Sequence, residues 1–237
     1  WHDLNFQDET ANDLIHLGQE RYLISGYGGL HYTENGGDDW QTIDEGIYEG
    51  LYQTARGSIL ASKTGTLLEY TSDLGSSSEV MSFEGDAYFR RFISLSDGTL
   101  ITNSGGGIYT SADTGRTWQR SHDFLYELHQ IPGSDGVAGI HRYPNYLLIY
   151  TRDGGVSWDT LDVPSNYESP RFVDENSIIA YAEGGDSTAS SFYLSNDLGD
   201  SWQPVTSNLP DRGLETLEID SSGVAWIDLR GAGIYKT

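Results

Sequence analysis

Ser111-Ala112-Asp113-Thr114-Gly115-Arg116-Thr117-Trp118 is the stretch from which the fold is read, because its pattern of Ser or Thr, Asp, Gly and Trp returns along the chain. Thr33 to Trp40, Thr151 to Trp158 and Ser195 to Trp202 repeat it, with Asn35 standing for the aspartate in the first of these. Thr71 to Ser78 is a degenerate copy that keeps Asp73 and Gly75 but carries Ser78 in place of the tryptophan. An aspartate carboxylate in such a loop accepts N–H bonds from its own turn, and asparagine does the same through its amide oxygen. Glycine supplies a backbone conformation that other residues adopt only at a cost. The motif, here called the box, thus encodes a recurrent turn capped by an aromatic ring. Its structural residues are Asn35, Trp40, Asp73, Asp113, Trp118, Asp153, Trp158, Asp197 and Trp202.

Outward from the boxes, an apolar strand ending near a tyrosine precedes each one, at Tyr32, Tyr70, Tyr109, Tyr150 and Tyr193, and again at Tyr235. The period is about 40 residues, the length of one propeller blade. Within each period the chain reads as four short strands. An inner run such as Leu51 to Thr54 or Phe89 to Leu95 is followed by a turn and a second apolar run, then by the tyrosine-bearing strand, which the box joins to a fourth. No helical periodicity competes with this reading. The expected fold is an all-β, six-bladed β-propeller of four-stranded antiparallel blades, a single domain over residues 1–237. The ends fit a shared blade. Gly233-Ile234-Tyr235-Lys236-Thr237 matches Gly107-Ile108-Tyr109-Thr110-Ser111, and Trp1 occupies the place of a box-final tryptophan, so Trp1 to Phe6 is expected to complete the last blade and leave no open edge.

On these boxes the chain resembles the Asp-box, or bacterial neuraminidase repeat, propellers, and the resemblance covers essentially its whole length. That group includes sialidases, xyloglucan-cleaving hydrolases, the sortilin receptor domain and a photosystem II assembly propeller, so the resemblance implies a scaffold shared by enzymes and binders. A sialidase would bring an arginine triad, a tyrosine nucleophile with a glutamate, and an aspartate acid/base. Arg56, Arg90, Arg91, Arg171 and Arg212 are present, yet the Arg-Ile-Pro signature is absent and Ser169-Pro170-Arg171-Phe172 is a poor substitute. The repeats also lack long inserted loops.

Asp and Glu number 36 against 13 Lys and Arg, a formal net charge of -23, which repels nucleic acid and anionic membranes. The same excess reads either as a solvated surface suited to a salty milieu or as a face for a cation or basic partner. Only Lys63 and Lys236 are lysines, so the few cations are mostly arginines kept for specific pairing. There are no cysteines, hence no disulfide, thiol nucleophile or Cys-ligated metal. His2, His16, His31, His122, His129 and His141 fall at no metal-ligand spacing, and neither a metal nor a cofactor is expected. No stretch reaches a membrane span, and nothing at Trp1 reads as a signal peptide, so a targeting segment is expected to have been removed.

A second aromatic series, Tyr48, Tyr88, Tyr126 and Tyr167, lies near the start of successive inner strands, with Glu49, Arg90, Glu127 and Glu168 beside it. Two arrangements fit. The rings could line a mouth and stack on sugars or anchor a protein, since tyrosine gives contact area at low entropic cost, or they could pack between blades. On the first reading the ligand-binding residues are Tyr48, Tyr88, Arg90, Tyr126, Glu127, Tyr167, Arg171 and Arg212. The run from Gly184 to Ser191 reads as an extended loop tip.

The sequence thus points to a non-catalytic propeller, secreted, periplasmic or at the cell surface, that binds protein or carbohydrate through its axial face. A glycoside hydrolase and a structural subunit packing into a larger assembly are its rivals. The shared-blade reading has a direct test. Deleting Trp1 to Phe6 is expected to expose an unpaired edge and to lower the thermal midpoint sharply or cause aggregation. A fully stable truncated monomer would show that the ends do not share a blade.

Overall fold

The computed structural model describes residues 6, 10–82, 89, 91–141, 147–164, 167–182, 191–205, 209–210 and 212–236. The described residues form 23 strands and no helix. The chain divides into two compact units, residues 1–124 and 125–237.

The first unit holds three antiparallel sheets whose strands follow chain order. Sheet one is β1 (Ala11–Gly18), β2 (Arg21–Gly26), β3 (Gly29–Thr33) and β4 (Gln41–Glu45). Sheet two is β5 (Tyr48–Gln53), β6 (Ile59–Lys63), β7 (Thr66–Tyr70) and β8 (Ser77–Ser82), and sheet three is β9 (Phe92–Ser94), β10 (Leu100–Ser104), β11 (Gly107–Ser111) and β12 (Gln119–His122). In the second unit, sheet four is β13 (Tyr126–Gln130), β14 (Val137–His141), β15 (Leu147–Thr151) and β16 (Asp159–Asp162). Sheet five is β17 (Glu168–Phe172), β18 (Ile178–Ala182), β19 (Ser191–Ser195) and β20 (Gln203–Val205). Sheet six has three described strands, β21 (Leu214–Ile219), β22 (Ala225–Leu229) and β23 (Gly233–Lys236). Of the segment expected to supply its fourth strand, only Phe6 is described; its ring meets Trp40 and His31 edge-on, each at 5.1 Å.

Within each unit, neighbouring sheets bury one another's faces. Leu23 and Leu30 of sheet one pack with Leu51, Ile59, Ala61 and Tyr70 of sheet two, whose alternate residues Leu60 and Leu67 turn to Phe89 and Leu100. In the second unit, Ala180 and Phe172 join Ile140 and Tyr150, while Ile179 and Tyr181 join Leu217 and Ile227. A strand covered on both faces needs apolar residues at every position, since successive side chains point to opposite sides. This is why Ile178-Ile179-Ala180-Tyr181-Ala182 is apolar and buried throughout.

The tyrosine series that marks the period is not one structural position. Tyr32, Tyr70 and Tyr150 stand immediately before box residues Thr33, Thr71 and Thr151, whereas Tyr109 and Tyr193 stand one residue further back from Ser111 and Ser195. The two sets therefore face opposite sides of their strands. Tyr70 and Tyr150 are buried, while Tyr109 and Tyr193 are half-buried.

The boxes form a small relay of hydrogen bonds. In the third, the Ser111 hydroxyl donates to Asp113 Oδ1 at 2.8 Å and accepts the Gly115 N–H at 2.8 Å. Asp113 then accepts the Thr117 N–H at 2.8 Å and the Thr117 hydroxyl at 2.7 Å. The fourth and fifth repeat this. Thr151 donates to Asp153 and accepts from Gly155, and Ser157 closes the turn on Asp153. Ser195, Asp197, Gly199 and Ser201 are bonded the same way. In the first, Asn35 Oδ1 accepts the Thr33 hydroxyl at 2.9 Å and the Asp39 N–H at 3.0 Å. The degenerate copy differs: Asp73 bonds the Gly75 N–H at 3.1 Å, and the ladder resumes at once with Tyr70 opposite Ser77. Across their longer turns, Tyr32 and Tyr150 pair with Gln41 and Asp159. Trp118 rests on Phe92, 6.1 Å between ring centres, and its indole N–H donates to the Gly115 carbonyl at 2.9 Å. Trp202 meets Tyr167 edge-on at 5.1 Å, and Trp158 is half-buried.

Ser157 hydroxyl and N–H bonds hold the Asp153 carboxyl at about 2. Burial pushes Asp113 up, but the Thr117, Ser111 and Arg116 bonds outweigh it and also leave it at about 2. Because both values lie below the ordinary 3.8, their contribution to stability is complete above that pH and is lost as the pH falls through about 2. Asp153→Ala is expected to cost about 1–3 kcal/mol near neutrality, measured by chemical denaturation, with the difference from wild type shrinking towards pH 2. Gly115 combines φ of +92 with an absent Cβ that would stand 2.6 Å from Cδ1 of fully buried Leu60. Gly115→Ala is expected to cost about 2–4 kcal/mol. At Gly133, with φ of +75 and nothing within 4 Å, the same change should cost about 1–2 kcal/mol.

Candidate functional site

Except in sheet three, the inner strands are bulged close to where they begin. In β13, Tyr126 pairs with Ile140 and His129 with Ala138, so Glu127 and Leu128 together oppose one residue of β14. In β17, Glu168 pairs with Tyr181 and Arg171 with Ile179, which sets Ser169 and Pro170 in the same place. Glu127 and Ser169 take left-handed backbone, φ of 56 and 46. Such a bulge breaks the alternation and re-aims the side chains around it. Here it turns Glu127 onto Arg171 of the next sheet. Arg171 Nη2 donates to the Glu127 carboxylate, and Nη1 donates to the Pro170 carbonyl at 3.1 Å. Arg171 is only 6% exposed, whereas the Glu127 side chain is 28% exposed. His129 bonds the Glu127 carbonyl through Nδ1 at 2.9 Å, and the Tyr126 ring stands 39% exposed at the strand start.

The register corrects the expected ring of tyrosines. Tyr126 corresponds to Glu168, and Tyr167 corresponds to Leu125, one residue earlier in the chain. Tyr167 and Leu125 are accordingly buried, Tyr167 stacking on Tyr193 at 4.5 Å, and burial raises its phenol. Tyr48 is fully buried and cannot meet a ligand. Its hydroxyl donates to Asp44 Oδ2 at 2.6 Å and lies 2.7 Å from the Tyr70 hydroxyl. Burial and these neighbours push the Tyr48 phenol far above its usual range. Arg212 is exposed, and its carbonyl accepts the Tyr181 hydroxyl at 3.0 Å. Tyr88 and Arg90 lie outside the described residues, as does the side chain of Glu168. Of the expected set, the fold joins Tyr126, Glu127 and Arg171.

Sequence reasoning missed the matching contact in the first unit. Lys63 donates to Asp44 at 2.7 Å with its ammonium 5.4 Å from the Tyr48 ring centre, and it holds the Asp44 carboxyl below the usual range, helped by Tyr48. Asp13 Oδ2 accepts the Leu51 N–H at 2.9 Å, and Asn12 donates to the Tyr48 carbonyl at 2.7 Å. The scarcity of lysine was the signal for Lys63. Nothing local marked Asp44. Among the described residues, no group of three or more His, Cys, Asp and Glu could hold a metal ion.

No family model matches the chain, and no curated protein does. Solved structures do. An ancestral GH74 enzyme aligns over 97% of this chain and 36% of its own, with TM-score 0.65 and 12% identity. YCF48 from Cyanidioschyzon merolae aligns over 92% of this chain and 77% of its own, with TM-score 0.59 and 15% identity. The extracellular domain of a hybrid two component system from B. thetaiotaomicron aligns over 100% and 35%, with TM-score 0.62 and 9% identity. The chain thus spans about a third of the GH74 and two-component structures. At these identities the likeness is one of fold, the β-propeller, and the sheets described above are of its blade type.

Removing one partner of a buried ion pair leaves the other charge uncompensated. Glu127→Gln is therefore expected to destabilise by about 2–4 kcal/mol in chemical denaturation. The exposed Arg230–Glu215 contact, at 2.8 Å, sets the comparison: Arg230→Gln should cost less than about 1 kcal/mol. Equal losses would show that the Glu127–Arg171 pair is no more than a surface contact.

Proposed function

We propose that this chain is a non-catalytic binding or assembly module, an Asp-box propeller of six blades, secreted or at the cell surface, that takes a protein or a glycan. The contact is made where the inner strands of the second unit begin, around Tyr126, Glu127 and Arg171. One observation carries this reading: Tyr126, 39% exposed, immediately precedes in the chain a carboxylate that a buried arginine fixes on a left-handed bulge. A ring and an acceptor held by backbone and a buried charge lose little entropy when a ligand docks. Non-glycine residues in left-handed backbone are costly and persist where the surroundings over-determine them.

The acidic side chains of the boxes support the binding reading, because Asp113, Asp153 and Asp197 spend their oxygens on their own turns. Arg171 is likewise engaged by Glu127 rather than free to hold a substrate carboxylate, as a sialidase would need. A net charge of -23 opposes nucleic acid and anionic lipid as partners. No helix among the described residues is long and apolar enough to cross a membrane. An extracellular setting agrees with the extracellular domain among the solved structures of like fold.

The test is a glycan array and a set of immobilised extracellular proteins, run beside a fluorogenic glycosidase panel. Capture without turnover is expected, and Tyr126→Ala should weaken it by about 1–3 kcal/mol, the range of interface aromatics. Hydrolysis of any substrate would contradict the non-catalytic reading. Capture untouched by Tyr126→Ala would contradict the site.

A further inference from the structure

We infer that Asn35-Gly36 is a spontaneous deamidation site, which the folded first box protects and whose aspartyl product that box does not accommodate. Of the nine asparagines in the chain, Asn35 alone is followed by glycine. In that pair the next backbone nitrogen reaches the side-chain carbonyl most easily, because glycine has no Cβ to hinder the approach. The Gly36 nitrogen attacks Asn35 Cγ, a new C–N bond closes a succinimide, and the Cγ–Nδ2 bond breaks. The proton lost from the Gly36 nitrogen leaves with the ammonia. Water then opens the ring at either carbonyl, which gives aspartate or its β-linked isomer at position 35. The chain, already at a formal net charge of -23, gains one more negative charge.

The closed box holds the reacting atoms elsewhere. The Gly36 N–H donates to the Glu20 carbonyl at 2.8 Å. Asn35 Oδ1 accepts the Thr33 hydroxyl at 2.9 Å and the Asp39 N–H at 3.0 Å, while Nδ2 donates to Asp39 Oδ2 at 3.1 Å. Ring closure needs these bonds to open together, so the reaction runs through local opening of the turn. Asn35 and Asp39 are both exposed, and water reaches the opened turn directly.

The product fails for a reason visible in the other boxes. Four places after Asp113, Asp153 and Asp197 stand Thr117, Ser157 and Ser201, whose hydroxyls donate to the carboxylate at 2.7, 2.6 and 2.5 Å. The first box reverses this polarity. Its fourth place is Asp39, itself a carboxylate, and the Asn35 amide is the donor between the two. Deamidation removes that donor and sets two carboxylates against each other. Asn35 is therefore the partner that Asp39 requires, and aspartate suits only a box with a hydroxyl in the fourth place.

The experiment incubates the whole chain in mildly alkaline buffer, folded or unfolded in urea, and follows Asn35 by peptide mass mapping, with Asn176, which precedes Ser177, as the internal control. Asn35 is expected to convert faster than Asn176 in urea, and at least about tenfold more slowly in the folded chain than in urea. Gly36→Ala, compared in urea where its backbone strain plays no part, should nearly abolish conversion. Asn35→Asp stands in for the product and should lower the thermal midpoint by about 2–4 °C near neutrality. That loss should shrink as the pH falls towards about 4 and the carboxylates protonate. Adding Asp39→Ser to Asn35→Asp restores the arrangement of the fourth and fifth boxes and should recover the midpoint. An unmodified Asn35 in urea, or equal rates in the folded and unfolded chain, would overturn the inference. So would an Asn35→Asp chain as stable as wild type, or a loss that Asp39→Ser does not recover.

Discussion

The structure depends on one local relay, in which a buried hydroxyl donates to a carboxylate or amide oxygen and accepts the N–H of the glycine that follows. Thr33, Ser111, Thr151 and Ser195 occupy that position, and all are essentially inaccessible to water. A buried hydroxyl without a partner costs free energy, and so does an unpaired turn amide. The relay satisfies both within one turn, which lets a hairpin close against a neighbouring sheet without support from elsewhere in the chain. Thr71, in the degenerate copy, is exposed, and there the turn is shortened as the strands pair earlier. The tryptophan is absent from the turn where the hydroxyl is not buried.

Carboxylates carry a second layer of the architecture, between sheets rather than within turns. Asp13 reaches the Leu51 N–H, 38 residues on, and Glu127 reaches Arg171, 44 residues on. Both spans are close to the period of the repeat, so in each unit an acid of one inner strand meets the bulge of the next. Asp44 adds a third such contact by gathering Tyr48 and Lys63. The excess of acid is thus partly structural, since Asp44, Asp73, Asp97, Asp113, Asp153, Asp174, Asp197 and Asp220 all have carboxyls lowered by hydrogen bonds.

The boxes were legible in the sequence because their chemistry is contained in consecutive residues, and four-stranded sheets followed from the spacing between them. The direction of each tyrosine was not legible. Side chains in a strand alternate, so a shift of one residue reverses inside and outside. Tyr126 and Tyr167, 8 residues after Trp118 and 9 after Trp158, read as one position of the repeat, yet the ladder matches Tyr126 with Glu168 and leaves Tyr167 in the core. A bulge inserts a residue without leaving a mark in composition. Glu127 and Arg171 could be named from their residue types, but their meeting is a tertiary event. Asp44, in an ordinary polar strand of the sequence Gln41-Thr42-Ile43-Asp44-Glu45, offered no signal at all.

Amide chemical-shift mapping tests most directly the division of the acidic and aromatic residues into those that build the sheets and those proposed to meet a ligand. With the glycan or protein captured in the array as the probe, shifts are predicted at Tyr126, Glu127, His129 and Arg171, while the N–H groups of Gly115, Gly155 and Gly199 stay in place. Shifts concentrated on the box turns, with Tyr126 and Glu127 unmoved, would contradict it.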